Sequence, residues 1–190
     1  MTILRKINFL SIENKEDKEN KKMTYDEVDS PVGVLTIITS PQGLHAVLWE
    51  NDRENEKCKN TIHHLHQSKT EKTIVQTKKQ LQEYFQGKRK TFDLPLIIHG
   101  TAFQMQVWNE LRNIPYAKTI SYAEQAAKVG NKNKARAVGL ANGLNPISII
   151  IPCHRVIGSN GKLVGFGGGL ERKEFLLKLE QNRLITDRVA

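Results

Sequence analysis

A thiol, an imidazole and a guanidinium follow one another at Cys153, His154 and Arg155, inside the run Ile149–Ile157 (Ile-Ile-Ile-Pro-Cys-His-Arg-Val-Ile). A thiol attacks as its thiolate, so this grouping has the parts of a nucleophile: sulfur, a base and an electropositive surrounding. Neighbours in an extended segment point to opposite sides. A sharp turn or a bridging water is therefore needed for His154 to take the proton of Cys153. The imidazole in turn needs an acceptor to orient it. Glu180 is best placed for that, four residues after Leu176 on the edge of an apolar helical stripe, where a carboxylate is costly without a partner. The plainer reading of Glu180 is an exposed charge at a helix end. The plainer reading of Cys153 is a small buried hydrophobe, the usual role of a free cysteine; the adjoining His and Arg argue against it.

Several elements must hold these groups. A β-branched strand, Ile147–Ile151, runs up to Pro152, and Asn145-Pro146 breaks the chain before it. Leu170–Glu180 reads as the closing helix. Val156-Ile157 and Leu163-Val164 flank a turn at Ser159-Asn160-Gly161. Four glycines surround Phe166 in Gly165–Gly169; with no Gly-Lys-Ser/Thr after them they make no phosphate loop, and close backbone approach to a ligand suits them better. Upstream, Phe103–Arg112 is helical, with Phe103, Val107, Trp108 and Leu111 on one face. Ser121 and Glu124 form a capping box for a helix to about Lys128. A second helix covers roughly 132–142. The tight Gly130 turn between them makes a helix-turn-helix candidate, in which Ala126, Ala127, Ala137 and Gly139 are small enough for close packing. Arg136 lies in that second helix, where arginine is an ordinary helix former.

The first half is richer in strands. Val34–Thr39 and Leu44–Trp49 form a hairpin across Ser40-Pro41-Gln42-Gly43. Thr70–Gln86 is a helix ending at Gly87, and Thr91–Leu94 a short strand. The expected division is a loose Lys/Glu/Asn-rich tail over 1–22, one domain over 23–98 and another over 99–190, separated by a linker near Pro95–Gly100.

Composition narrows the partners. The net charge of +9 is uneven: residues 99–190 hold 13 Lys+Arg against 6 Asp+Glu, a balance of +7, and residues 1–98 hold 16 against 14, a balance of +2. A basic C-terminal half fits a polyanion, while a solvated basic surface is the bland reading. No apolar run approaches the ~20 residues of a membrane span, and the N-terminal segment lacks the apolar core of a secretory signal. Two lone cysteines make no disulfide framework, which points to a reducing cytoplasm. Cys58, His63, His64 and His66 fit no standard zinc spacing, so no metal is expected. On the residues alone, a cysteine hydrolase and a non-catalytic helix-turn-helix binding protein both remain open.

Taken in order, the motifs resemble those of the O6-alkylguanine-DNA alkyltransferases, the methylated-DNA–protein-cysteine methyltransferases. The carrying segments are Phe103-Gln104 with Val107-Trp108, Ile120-Ser121-Tyr122, Ala135-Arg136-Ala137-Val138-Gly139, Asn145-Pro146, Ile151-Pro152-Cys153-His154-Arg155-Val156, and Lys173-Glu174-Phe175-Leu176-Leu177 through Glu180. The resemblance implies an α+β chain: an N-terminal ribonuclease-H-like α/β domain and a C-terminal, mainly helical, winged helix-turn-helix-like alkyltransferase domain. It implies that Cys153 accepts an alkyl group from O6-alkylguanine in double-stranded DNA, once per molecule and without a cofactor. O4-alkylthymine is a further candidate substrate. His154 would deprotonate Cys153 through a water, Glu180 would orient His154, Asn145 would shape the turn, and Tyr122 would serve N3 of the departing guanine. Arg136 would enter the duplex where the nucleotide leaves. Tyr122, Ala123, Asn131, Ser159 and Gln104 would touch DNA, mainly its backbone and minor groove. Val156, Phe166 and Gly167 would read the flipped base. A monomer in the cytoplasm, with no membrane contact, is the implied state. Three positions depart from the family's pattern: Phe166 stands where many relatives have Tyr, Gly167 where some have Ser, and Asn142 where some have an apolar residue.

Overall fold

The structure, a computed structural model, describes residues 23–189; the expected tail over 1–22 lies outside them. Contacts divide the chain into two compact units. One is the described part of Met1–His99 with Pro146–Ser148. The other is Gly100–Asn145 with Ile149–Ala190.

The first unit is built on a hairpin of β-branched and aliphatic residues. Strand β2 (Leu35–Ser40) pairs antiparallel with β3 (Gly43–Trp49), and every residue of both is buried. Strand β1 (Thr24–Val28) adds antiparallel to β2, and the short β4 (His66–Gln67) pairs parallel with β1. The sheet order is β3-β2-β1-β4. Two short helices, α1 (Glu50–Arg53) and α2 (Glu56–His63), and the longer α3 (Lys72–Phe85) complete this part. Cys58 packs with Met23, Ile38, Ala46, Leu48, Ile62 and Leu65, the ordinary role of a buried thiol.

Two elements of this unit differ from expectation. Strand β1 carries Tyr-Asp-Glu and has little sequence signature. It is held by its ladder to β2 and its pairing with β4, and Asp26, 2% exposed, is ion-paired to Lys78 and accepts from Gln67 Nε2 at 2.9 Å. Thr91–Leu94 is not a strand. The side chain of Gln80 stands where a neighbouring strand would be: its Nε2 donates to Asp93 O (2.7 Å), and its Oε1 accepts from Asp93 N (2.8 Å). The ladder begins later, where Leu44 N donates to Pro95 O at 2.8 Å and Ile97 N to Leu44 O at 2.9 Å. Gly43 permits this approach, since a Cβ there would lie 2.4 Å from Pro95 O.

The expected strand Ile147–Ile151 is also corrected. Ile147 only bridges to Val47, with Val47 N donating to Pro146 O at 2.9 Å. The chain then turns at Ile149, whose φ is 72°. A β-branched residue in this region is strained by about 1–3 kcal/mol. Its side chain is 1% exposed, so buried packing holds the turn. A short apolar run cannot be told from such a buried turn by periodicity.

The second unit is a helical assembly. Helix α4 (Ala102–Arg112) starts at a Thr101/Gln104 capping box. Helix α5 (Tyr122–Lys128) starts at the expected Ser121/Glu124 box. The next helix begins later than expected. Asn131 accepts from Asn133 N at 2.9 Å, residues Lys132–Lys134 make one 3-10 turn, and α6 runs over Ala135–Gly143. Helix α7 covers Leu170–Val189. Val156-Ile157 forms β6, parallel to β5 (Ile120–Ser121), while Gly158 N to Lys162 O (2.9 Å) closes the turn that follows.

Trp108 locks α4 to α6 through a 2.9 Å bond from Nε1 to Ala141 O. Gly100 lets its ring approach, because a Cβ there would sit 2.6 Å from it. Between α5 and α6, Ala126 is fully buried, but Ala127 is exposed. A reciprocal amide pair does the specifying. Asn142 Nδ2 donates to Gln125 Oε1 at 2.7 Å, and Gln125 Nε2 donates to Asn142 Oδ1 at 3.3 Å and to Val107 O at 3.1 Å. Asn142→Leu strands the carbonyl of Gln125 and is expected to lower the unfolding free energy by about 1–3 kcal/mol. Replacing both by Leu should cost less than the single change, as read by urea denaturation. A double variant that loses at least as much would show that the amides are not coupled.

Candidate active site

The local backbone explains how Cys153 is presented. Pro152 (φ −83°, ψ 63°) is the centre of an inverse γ-turn, with Cys153 N donating to Ile151 O at 2.8 Å. Cys153–Arg155 then form a single 3-10 turn. Cys153, His154 and Arg155 are therefore fanned around a turn, not set on alternate sides of a strand. All three are buried, at 5%, 0% and 6% exposure.

Each of the three has a defined neighbourhood. Asn145 Nδ2 donates to Ile151 O at 2.8 Å and to Cys153 Sγ at 3.2 Å, so one amide nitrogen braces the turn and faces the sulfur. A hydrogen bond of this kind stabilises negative charge on its acceptor. His154 Nε2 lies 2.8 Å from Glu180 Oε1. Its other ring nitrogen, Nδ1, is buried and has no hydrogen-bond partner in the protein. Since an ionised carboxylate can only accept, Nε2 carries the hydrogen and Nδ1 the lone pair.

Glu180 is fully buried. Burial by itself would raise its pKa. The His154 bond and the Arg155 guanidinium outweigh that and bring it from the ordinary 4.5 to about 2. Burial also dominates at His154, where it lowers the pKa. Glu180 works the other way, and the charges of Arg155 and Lys173 reinforce the lowering. The resting pair is thus neutral imidazole beside ionised carboxylate.

Lys173 carries no role in the sequence reading, yet it is 0% exposed. Its Nζ donates to Val156 O (2.6 Å) and Val164 O (2.9 Å), and lies 3.4 Å from Tyr122 Oη. Burial lowers its pKa to about 8, against the pull of charge on Cys153. The available signal was its place three residues after Leu170 and three before Leu176, on the apolar stripe of α7. The hydroxyl of Tyr122 lies 3.0 Å from Val164 O and 2.9 Å from Gly165 O. Burial, then charge on Cys153, raises its pKa to about 12.

The other expected site residues divide into two sets. Val156 and Phe166 lie around Lys173: the Val156 carbonyl takes its bond, and the Phe166 ring centre is 6.0 Å from Nζ; Gly167 is half-buried. Arg136, Ala123, Asn131 and Ser159 are exposed, as is Leu140 (64%) one turn after Arg136. Gln104 is engaged in the cap of α4, accepting from Thr101 N at 2.8 Å. Asn142 is spent on the amide pair described above. Among the described residues no group of three or more His, Cys, Asp or Glu is placed to hold a metal, and no helix is long and apolar enough to cross a membrane.

Comparison with known proteins places this geometry. Residues 102–182 match the family model of the 6-O-methylguanine DNA methyltransferase DNA-binding domain, and residues 23–98 that of its ribonuclease-like domain. A methylated-DNA–protein-cysteine methyltransferase of Methanosarcina barkeri is 45% identical over 163 residues, 85% of this chain and 99% of that protein. One from Mycobacterium tuberculosis is 44% identical over 163 residues, 86% of this chain and 95% of that protein. The crystal structure of M. tuberculosis O6-methylguanine methyltransferase has a TM-score of 0.75 at 43% identity, covering 85% of this chain and 94% of that one. M. tuberculosis OGT in complex with DNA has the same TM-score and identity, covering 84% and 94%.

The depressed carboxylate gives a signed pH dependence. Glu180 stabilises the native state fully above its unfolded value near 4.5, and this contribution is lost as pH falls towards 2. Urea midpoints measured down that range should fall less steeply in Glu180→Gln than in the native sequence. Equal slopes would mean that Glu180 is not held ionised.

Proposed function

The chain belongs to the 6-O-methylguanine DNA methyltransferase family, and from that membership we propose that it repairs DNA by moving an alkyl group from O6-alkylguanine onto Cys153. The observation that carries the assignment is the arrangement around the sulfur. Cys153 accepts a bond from Asn145 and sits beside a fully buried His154–Glu180 pair, in the unit that also bears the helix-turn-helix.

The chemistry follows from those positions. The proton of Cys153 passes through a bridging water to the lone pair of His154 Nδ1, and Glu180 stabilises the imidazolium that results. The thiolate attacks the alkyl carbon in line. A carbon–sulfur bond forms, the carbon–O6 bond breaks, and its electrons move onto the guanine. Tyr122 exchanges its carbonyl partners for N3 of that guanine and donates a hydrogen bond or its proton, with Lys173 beside its hydroxyl. The product is a thioether that none of these groups can hydrolyse. Each molecule therefore acts once.

O6 is out of reach in a stacked duplex, so the nucleotide is flipped out at a cost of a few kcal/mol. Arg136, exposed on α6, enters the gap, and Ala137, Gly139 and Gly143 leave room for the minor-groove walls. Ala123, Asn131 and Ser159 meet the backbone. The carbonyl of Val156 and the backbone at Phe166 and Gly167 line the base pocket. Gln104 supports the contact only through the cap of α4. We assign the protein as a cytoplasmic monomer on double-stranded DNA.

Two variants test this reading. Cys153→Ala should lose transfer from a methylated oligonucleotide completely, while its duplex affinity, measured by fluorescence anisotropy, changes little; surviving transfer would remove the nucleophile assignment. Arg136→Ala should slow repair of a duplex by about tenfold or more, equivalent to ~1.4 kcal/mol, and leave reaction with free O6-methylguanine base unchanged. Equal slowing of both would exclude a role in flipping.

A further inference from the structure

Arg155 has no part in the steps above, yet its guanidinium is buried and engaged at all three nitrogens. Its Nε donates to Glu180 Oε2 (3.0 Å), its Nη2 to Glu180 Oε1 (3.0 Å) and its Nη1 to the carbonyl of Ile114 (2.7 Å). Its planar head lies 5.6 Å from the ring centre of Tyr116. The next residue, Ala117, adopts a left-handed φ of 57° and turns its N–H onto Glu180 Oε2 at 2.9 Å. The segment from Ile114 to Ala117 and the Arg155 fork thus hold one carboxylate from two sides. They leave Oε1 directed at His154.

The chemical consequence concerns how strongly His154 holds a proton. An unshared carboxylate against a buried imidazole favours the imidazolium. An imidazole already protonated at neutral pH cannot accept the proton of Cys153. A cation on the far side of the carboxylate offsets its charge. We propose that Arg155 is a positioning residue of the proton relay: its fork fixes the Glu180 carboxylate on His154 Nε2, and its charge adds to burial in keeping the imidazole neutral until Cys153 releases its proton. This rests on the alkyl-transfer reading. The charged and titratable groups around His154 are Glu180 and Lys173 from α7, Cys153 and Arg155 from its own turn, and Tyr116 across the guanidinium. Lys173 acts on His154 in the same sense as Arg155, but its hydrogen bonds go to the carbonyls of Val156 and Val164, so only Arg155 of the two also orients the carboxylate.

The test is the pH profile of single-turnover methyl transfer from an O6-methylguanine duplex, followed by intact-protein mass. In Arg155→Gln the acid limb should move to higher pH by about one unit or more. Arg155→Lys, which keeps the charge but loses the fork, should return the limb close to its native position at a lower plateau rate. Acid limbs that coincide in all three proteins, with only the plateau lowered, would overturn the proposal and leave Arg155 a packing group. If Arg155→Gln does not fold, the ring nitrogens of His154 are titrated by NMR in the native protein and in Arg155→Lys. Loss of the fork should then weaken the Nε2–H tautomer with the midpoint near its native value, and an unchanged tautomer would overturn the proposal. Absence of transfer by the native protein would instead remove the alkyl-transfer reading on which it stands.

Discussion

A single carboxylate with no access to water sets the terms for the C-terminal unit. Taking a charge like that of Glu180 out of water costs several kcal/mol, recovered only when its lone pairs are met in good geometry. Here they are met by His154 Nε2, by two nitrogens of Arg155 and by the N–H of Ala117. The donors come from two separate places in the chain: His154 and Arg155 from the 3-10 turn after Pro152, and Ala117, a left-handed residue, from the loop after α4. None of these can shift without leaving a buried charge unpaired. The carboxylate therefore constrains the backbone on either side of Cys153 as well as one imidazole.

A second buried charge, Lys173, organises the opposite side. Its ammonium gathers the carbonyls of Val156 and Val164 and the hydroxyl of Tyr122. It thereby ties β6, the glycine-rich loop and the start of α5 to one point on α7. Glu180 and Lys173 lie seven residues apart on that helix, two turns along the same face. One helix thus supplies both the anion that holds the imidazole of His154 and the cation that gathers these carbonyls. The Phe166 ring offers Lys173 its face, at 6.0 Å.

Much of this was legible in the residues, for reasons that differ by element. The caps at Ser121/Glu124 and the helices around Trp108 and Arg136 follow short-range rules, and the structure has them nearly where those rules place them. Glu180 was found because a carboxylate on an apolar stripe is costly and so demands a partner. Lys173 sits on the same stripe and escaped notice because it reads as a routine helical cation. Arg155 was seen as charge near the thiol, but its partners Ile114 and Tyr116 lie some forty residues earlier, a distance no local pattern spans. The errors were of the same origin. Ile147–Ile151 looks like a strand because burial selects the same residues for a tight internal turn, and Thr91–Leu94 alternates polar and apolar residues as a strand does, while in the fold Gln80 supplies the hydrogen bonds that a neighbouring strand would.

The arrangement spends rigidity on a reaction that happens once. Asn145, the γ-turn at Pro152 and the strained Ile149 fix the sulfur before any substrate arrives, which is where positioning contributes most to rate. The account stands on the sulfur being consumed. The most direct measurement is peptide mapping by mass spectrometry after the protein meets an excess of O6-methylguanine duplex. The account predicts one methyl per molecule, carried by the peptide containing Cys153, with repair stopping at one equivalent. Continued repair by unmodified protein, or a methyl on any other residue, would contradict it.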